Sequence, residues 1–207
     1  METATSFLDF FAADGSMYHN RRGAYYITLE ITDRDLLYKI QNVLGSDHEI
    51  TKRERERNCI PSYRLQIGSK TMFADLIKLG ITPQKSKTIR LPYVPEKYFK
   101  HFVWGYFDGD GNVVSGFFRS RDRKNPRRVL LTRFTSGSEA FMKNMMGKLS
   151  RMGGTRGSIL YYGDAWRLSY SHVDSRKLYD FMYTERHPHN LIYLPRKYKI
   201  FQNAGVA

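Results

Sequence analysis

The chain carries an internal duplication, and no other feature restricts its fold as strongly. Phe10-Phe11-Ala12-Ala13-Asp14-Gly15-Ser16 recurs 96 residues later as Tyr106-Phe107-Asp108-Gly109-Asp110-Gly111-Asn112. Downstream, Tyr63-Arg64-Leu65 is echoed by Trp166-Arg167-Leu168, and Ile89-Arg90-Leu91-Pro92 by Ile192-Tyr193-Leu194-Pro195, both at an offset of 103. A fixed internal period means that one supersecondary unit is used twice. The step from 96 to 103 locates a net insertion of seven residues after the second motif, for which the basic stretch Asp122 to Arg128 is the candidate. The chain therefore reads as two similar halves, residues 1–92 and 93–207, joined near Pro92 to Pro95.

Each half repeats one order of elements. A short apolar helix ends at Asp-Gly, where glycine permits a left-handed terminating turn. Pro95 and Glu96 suit the start of the second such helix. An alternating strand follows, with Ile27, Leu29 and Ile31 on one face and Thr28, Glu30 and Thr32 on the other. Thr32 or Asp33 caps a helix over 36–44 that stops at Gly45. Strands are predicted over 50–57 and 63–67, then a helix over 71–79 ending at Gly80. The second half repeats this with a strand over 129–135, a helix over 139–149, strands around Ile159 and Trp166, and a helix over 175–183. The class is α+β, with each sheet covered on one face by helices.

Composition narrows the functions. Thirty-four Lys and Arg against twenty Asp and Glu leave a net charge of +14, and the pI is about 9.8. A folded chain this basic points to a polyanion, nucleic acid ahead of membrane. Apolar residues at 41%, with 13 Phe and 15 Tyr, supply a core and exclude a disordered chain. No apolar run approaches the roughly 18 to 20 residues of a spanning helix, and Met1-Glu2-Thr3-Ala4 does not begin a signal peptide, so no membrane is expected. Cys59 is the single cysteine, which removes a disulfide framework and a thiolate metal site; an intracellular, reducing compartment is expected. Met142, Met145, Met146 and Met152 fall at near-helical spacing and read as core filler.

Val103-Trp104-Gly105-Tyr106-Phe107-Asp108-Gly109-Asp110-Gly111 resembles the LAGLIDADG motif of homing endonucleases, and Phe7-Leu8-Asp9-Phe10-Phe11-Ala12-Ala13-Asp14-Gly15 is a second copy. The stretch Leu79 to Lys87, leading through Leu91-Pro92 into the second motif, is also similar to that family. The resemblance spans essentially the whole chain. It implies two pseudo-symmetric αββαββα repeats, with the motif helices packed side by side at the interface and antiparallel sheets forming a saddle for DNA. It implies a monomer, with no obligate protein partner, that cuts double-stranded DNA at a long, non-palindromic site and leaves staggered ends. The family's metal-binding acids fall on Asp14 and Asp110, with Ala13 and Gly109 beside them. Asp108 falls on an acidic position that is usually not a ligand. The implied cofactor is Mg²⁺, as two or three ions, with Mn²⁺ substituting and Ca²⁺ supporting binding without cleavage. Two departures stand out. Asp9 replaces the helix-packing glycine present as Gly105, which predicts a looser helix contact, and Ala12 replaces the acid at Asp108.

The chemistry suits hard carboxylates. Phosphodiester hydrolysis builds negative charge on the phosphate and on the leaving 3′ oxygen, which divalent ions held by oxygen ligands offset. In the family a basic residue of each half approaches the reactive phosphate. Lys85 is the first-half candidate; the equivalent stretch Arg186 to Asn190 offers no match, and Lys197 lies further along. For DNA contact, Arg53, Arg55 and Arg57 share one face of an extended segment, and Arg119, Arg121 and Arg123 repeat that spacing. Arg64 and Gln66 alternate with Leu65 and Ile67, with Arg167 and Ser169 as counterparts. A solvated charge run is the bland alternative for each stretch. The rival functions are a binding protein of the same fold without cleavage, such as an RNA maturase or a DNA-binding regulator, and an unrelated RNA-binding protein. The chain ends lack intein splice-junction residues, which favours a freestanding or intron-encoded enzyme.

Overall fold

The computed structural model describes residues 2–54, 60–119, 124–183 and 193–205, with backbone alone for 2–6. Arg55, Arg57, Cys59, Arg121, Arg123 and the stretch Arg186 to Asn190 lie outside the described residues. The first half runs α1 (Glu2–Asp14), β1 (Gly15–His19), β2 (Tyr25–Ile31), α2 (Arg34–Val43), β3 (Ile50–Arg53), β4 (Ser62–Gly68) and α3 (Lys70–Lys78), then a single 3-10 turn at Lys85–Lys87. The second half runs α4 (Glu96–Asp110), β5 (Gly111–Phe118), β6 (Arg127–Ser136), α5 (Glu139–Gly153), β7 (Ser158–Tyr162), β8 (Ala165–Tyr170), α6 (His172–Tyr183) and α7 (Pro195–Asn203). Both halves thus follow αββαββα, in a two-repeat α+β architecture.

Each half builds a four-stranded antiparallel sheet among the described residues, ordered β1-β2-β4-β3 and β5-β6-β8-β7. The same permutation in both is what a duplicated unit requires. Alternation decides the faces. Met17, Ile27, Leu29, Leu65 and Ile67 turn inward in the first sheet; Val113, Leu130, Phe134, Leu168 and Tyr170 do so in the second. Helices α2 and α3 cover the first set with Leu37, Ile40, Phe73 and Leu76, and α5 and α6 cover the second with Phe141, Met142, Met145 and Leu178. Among the described residues the other face of each sheet carries no buried apolar side chain. Side-chain caps start three of these helices: Asp33 accepts from Leu36 N at 3.0 Å, Ser69 from Met72 N at 3.2 Å, and Ser138 from Phe141 N at 3.3 Å. Each is worth about 1 kcal/mol.

Three sequence expectations need correction. Gly15 and Gly111 are not left-handed; Gly111 is extended, at φ −92°. Glycine is required there for space. A Cβ on Gly15 would lie 2.5 Å from the Phe11 carbonyl oxygen, and one on Gly111 would lie 2.3 Å from that of Phe107, because the chain passes from helix straight into strand. Pro95 occupies the N-cap of α4 rather than its first turn. Strand β3 ends at Arg53. The net insertion of seven residues is borne out and resolves into two changes: 23 residues separate the paired Gly111 and Phe134 where 14 separate Gly15 and Leu29, while 34 separate Phe134 and Leu168 where 36 separate Leu29 and Leu65. The hairpin β5–β6 has therefore grown by nine residues, and two have been lost further on.

Candidate functional site

Helices α1 and α4 pack against each other at the boundary between halves, and the contact is tightest where duplicated positions meet their own counterparts. Asp9 faces Gly105, and Ala13 faces Gly109. A Cβ added to Gly105 would lie 2.3 Å from the Cβ of Asp9, and one on Gly109 would lie 2.5 Å from that of Ala13. The loose contact expected from Asp9 does not occur, because one small partner in each pair suffices. The Asp9 side chain takes the space that Gly105 leaves. It is fully buried, and apart from its own backbone N–H its carboxyl oxygens find no hydrogen-bond partner among the described residues. Burial holds its pKa well above the usual carboxylate range.

This packing delivers Asp14 and Asp110 at the C-terminal ends of the two helices, each one residue before a strand. Gly15 pairs with Leu29 and Gly111 with Phe134, both inward-facing, so the two aspartates share parity with Ser16 and Asn112 on the open faces. Asp14 leans across the interface, its Oδ2 3.1 Å from where a Cβ of Gly109 would stand. The two acids oppose each other electrostatically. The Asp110 carboxyl is pushed up to about 6 by burial and then by the Asp14 charge, opposed by the Tyr106 hydroxyl and by Lys85 and Lys197. Burial also raises the Asp14 carboxyl, against the attraction of Lys197 and Lys85. Phe10 stands where Tyr106 stands, so only the second-half acid has a phenol beside it.

Two buried lysines complete the pair. Lys85 Nζ donates to Gly15 O at 2.5 Å and lies 5.8 Å from the Phe11 ring centre. Lys197 Nζ donates to the equivalent Gly111 O at 2.6 Å and lies 5.1 Å from the equivalent Phe107 ring. Lys197 also donates to the carbonyls of Phe107 at 2.6 Å and Asp108 at 2.7 Å, so a cation closes the C-terminal end of α4. Burial lowers both ammonium groups, Lys197 to about 8, with nearby aspartates resisting the shift. Lys197 is thus the second-half equivalent of Lys85, which the sequence offered only as a distant candidate. The signal is Pro83-Gln84-Lys85-Ser86-Lys87 against Pro195-Arg196-Lys197-Tyr198-Lys199. The echo of Ile89–Pro92 in Ile192–Pro195 concealed it: the first stretch follows its lysine turn, whereas the second leads into its own.

Asp108 is not part of the open pair. It is buried, accepts from Leu194 N at 2.8 Å, and is raised to about 7 by burial, so it pins the entry of α7. A polar cleft of about 250 Å³ opens beside Asp14, bounded by Gly109, Asp108, Glu30, Asp33 and Arg196.

The remaining candidates distribute over the open faces. Arg64 pairs in register with Glu30 and Thr51, Gln66 with Thr28, and Arg53 with Ser62, placing Arg53, Arg64 and Gln66 on one open face. Arg167 pairs with Thr135 and Leu160 on the other, its guanidinium 4.3 Å from the Tyr162 ring centre. Arg119 follows the end of β5 and is exposed. Arg133, which sequence reading passed over, stands on the second open face and donates to Ser169 Oγ at 3.2 Å. Its signal was present in the alternation Leu130-Leu131-Thr132-Arg133-Phe134. No group of three His, Cys, Asp or Glu able to hold a metal occurs among the described residues. The donor chemistry is still that of a hard cation: two carboxylates that raise each other's proton affinity gain from a positive charge between them. Two acids alone suit an ion that keeps much of its water, as Mg²⁺ does.

Residues 4–87 match a family model described as a LAGLIDADG-like domain. No curated protein matches the chain by sequence. Solved structures do match over nearly its whole length. The meganuclease I-AabMI bound to uncleaved DNA gives a TM-score of 0.65 at 13% identity, covering 97% of this chain and 88% of that one. The homing endonuclease I-WcaI bound to its DNA recognition sequence gives 0.64 at 13% identity, covering 96% and 85%. I-SmaMI bound to an uncleaved DNA target in the presence of calcium ions gives 0.57 at 14% identity, covering 86% and 84%. Among the described residues no helix is long and apolar enough to cross a membrane. The first repeat is thus similar to the LAGLIDADG-like domain, and the whole chain shares the two-repeat fold of these DNA-bound structures.

Proposed function

We propose that the protein is a site-specific homing endonuclease: a monomer that binds a long, non-palindromic duplex and hydrolyses one phosphodiester in each strand, leaving staggered ends. The observation that carries this reading is the pairing of Asp14 with Asp110 on the open side of the helix interface, with two buried lysines whose charges act on both acids. In this reading residues 1–92 and 93–207 each serve one half of the target. Arg53, Arg64, Gln66 and Arg167 on the open faces meet the DNA, as do Arg119 and, outside the described residues, Arg55, Arg57, Arg121 and Arg123.

Asp14 and Asp110, with the carbonyls of Ala13 and Gly109, would hold the divalent ions, Mg²⁺ by their hardness. When bound, such ions lower the pKa of an attacking water and offset charge on the phosphate. The chain's own contribution is placement and charge. In each strand a water oxygen bonds to phosphorus as the bond to the 3′ oxygen breaks, giving a 3′-hydroxyl and a 5′-phosphate. Lys85 and Lys197 stand near both carboxylates and hold positive charge where the phosphate gains negative charge. Their carbonyl bonds fix them before DNA arrives. Tyr106 marks the second-half centre as the chemically distinct one.

The test is incubation with a randomised duplex library and Mg²⁺, with sequencing of newly cut ends, for wild type, Asp14→Asn and Asp110→Asn. Discrete staggered cuts that vanish in both variants are expected. Enrichment of one sequence without cutting would replace this reading by a cleavage-inactive binding protein, and absence of any DNA enrichment would remove DNA altogether.

A further inference from the structure

The two open faces are not chemically alike. Among the described residues the first carries Ser16, Thr28, Thr51, Arg53, Arg64 and Gln66 with the stacked pair Tyr18 and Tyr26, and no Val, Leu or Ile. The second carries a block of apolar side chains along the hairpin that outgrew its counterpart. Val114 pairs with Leu131 across β5 and β6, and Val129 pairs with Gly116 one step outward. Val114 and Leu131 are 42% and 41% exposed. These residues do not face the core; their strand neighbours Val113 and Leu130 do. A contiguous exposed apolar patch marks something that binds there.

The charges around the patch identify the occupant. Arg127, Arg133 and Arg167 share its face, and the Asn112–Arg133 pair lies between it and Asp110. Guanidinium groups interleaved with aliphatic side chains match duplex DNA, whose phosphates take the charge. In the major groove one base presents an apolar group, the C5-methyl of thymine. We infer that the second sheet reads thymine methyl groups through Val114, Val129 and Leu131, so that the half-site outward of Asp110 is thymine-rich, whereas the first sheet reads its half-site through hydrogen bonds. This rests on the endonuclease reading and adds to it which half of the target is recognised by which chemistry.

The experiment uses the duplex recovered by library selection and two modified versions of it. In each version the thymines of one half-site are replaced by deoxyuridine, which deletes the methyl and keeps the pairing edge. Affinity is expected to fall about fourfold per contacted methyl for one version and by under about twofold for the other. Leu131→Ser is expected to reduce that loss by about fourfold, the share of one contacted methyl, which assigns the sensitive half to the second sheet. Equal affinity for all three duplexes, equal losses in both halves, or a loss undiminished in Leu131→Ser would overturn the inference while leaving a DNA-binding enzyme. Failure to recover any duplex would overturn the endonuclease reading and this inference with it. The uridine comparison uses the wild-type protein, so it does not depend on a variant folding.

Discussion

At the residue scale the chain places carboxyl groups in two opposite settings. Asp14 and Asp110 stand open and paired with lysines, whereas Asp9 is sealed between helices. The folded-state pKa of Asp9 lies above its unfolded value, so the folded protein retains a proton that the unfolded chain gives up above about pH 4. Stability contributed at this position is therefore present in acid and falls as pH rises towards the folded pKa. Asp9→Asn keeps the shape and removes the titration. It is expected to match wild type near pH 4 and to exceed it near pH 8 by about 1 kcal/mol or more, read as urea midpoints. The same gap at both pH values would contradict this. Lysines supply a second comparison. Lys197 satisfies three carbonyls at 2.7 Å or less and Lys85 one. Lys197→Met is expected to cost about 2–3 kcal/mol and Lys85→Met about 1 kcal/mol. Equal denaturation midpoints for the two variants would reject the difference.

At the element scale the helix pair α1 and α4 carries the site, and its closeness depends on one small residue in each facing pair. Gly105→Ala inserts a methyl where Asp9 Cβ already stands, and the helices must separate. A loss of about 2–4 kcal/mol is expected, comparable to overpacked cores. Adding Asp9→Gly should recover most of it, because the small residue merely changes sides. A double variant no more stable than Gly105→Ala alone would show that the cost lies elsewhere. Elements were unequally legible. The strands β2, β4 and β8 were readable from clean alternation, whereas Val129-Leu130-Leu131 of β6 is apolar on both faces. The strand β1 was not, because Gly15-Ser16-Met17-Tyr18-His19 has a single apolar inward residue, and its pairing with β2 supplies what its own pattern lacks. The helix α7 has a buried lysine at its start, which disguised its apolar face.

At the scale of the whole molecule the duplication made the architecture and both acids readable, since the motif copies are local and unbroken. It hid the second lysine. That residue lies beyond a stretch where the halves changed length independently, and matching by a constant offset selects the wrong partner there. Facing pairs were also beyond sequence: nothing local indicates that position 9 meets position 105. That pairing also governs what the two repeats could do as separate chains. A first repeat meeting a copy of itself would bring Asp9 against Asp9, two buried acids in a space that accommodates one side chain. The second repeat presents only Gly105 and Gly109 to its own copy. Severed between positions 92 and 93, the pieces would favour the mixed pair over a homodimer of the first, a built-in exclusion suited to splitting the protein into complementary fragments.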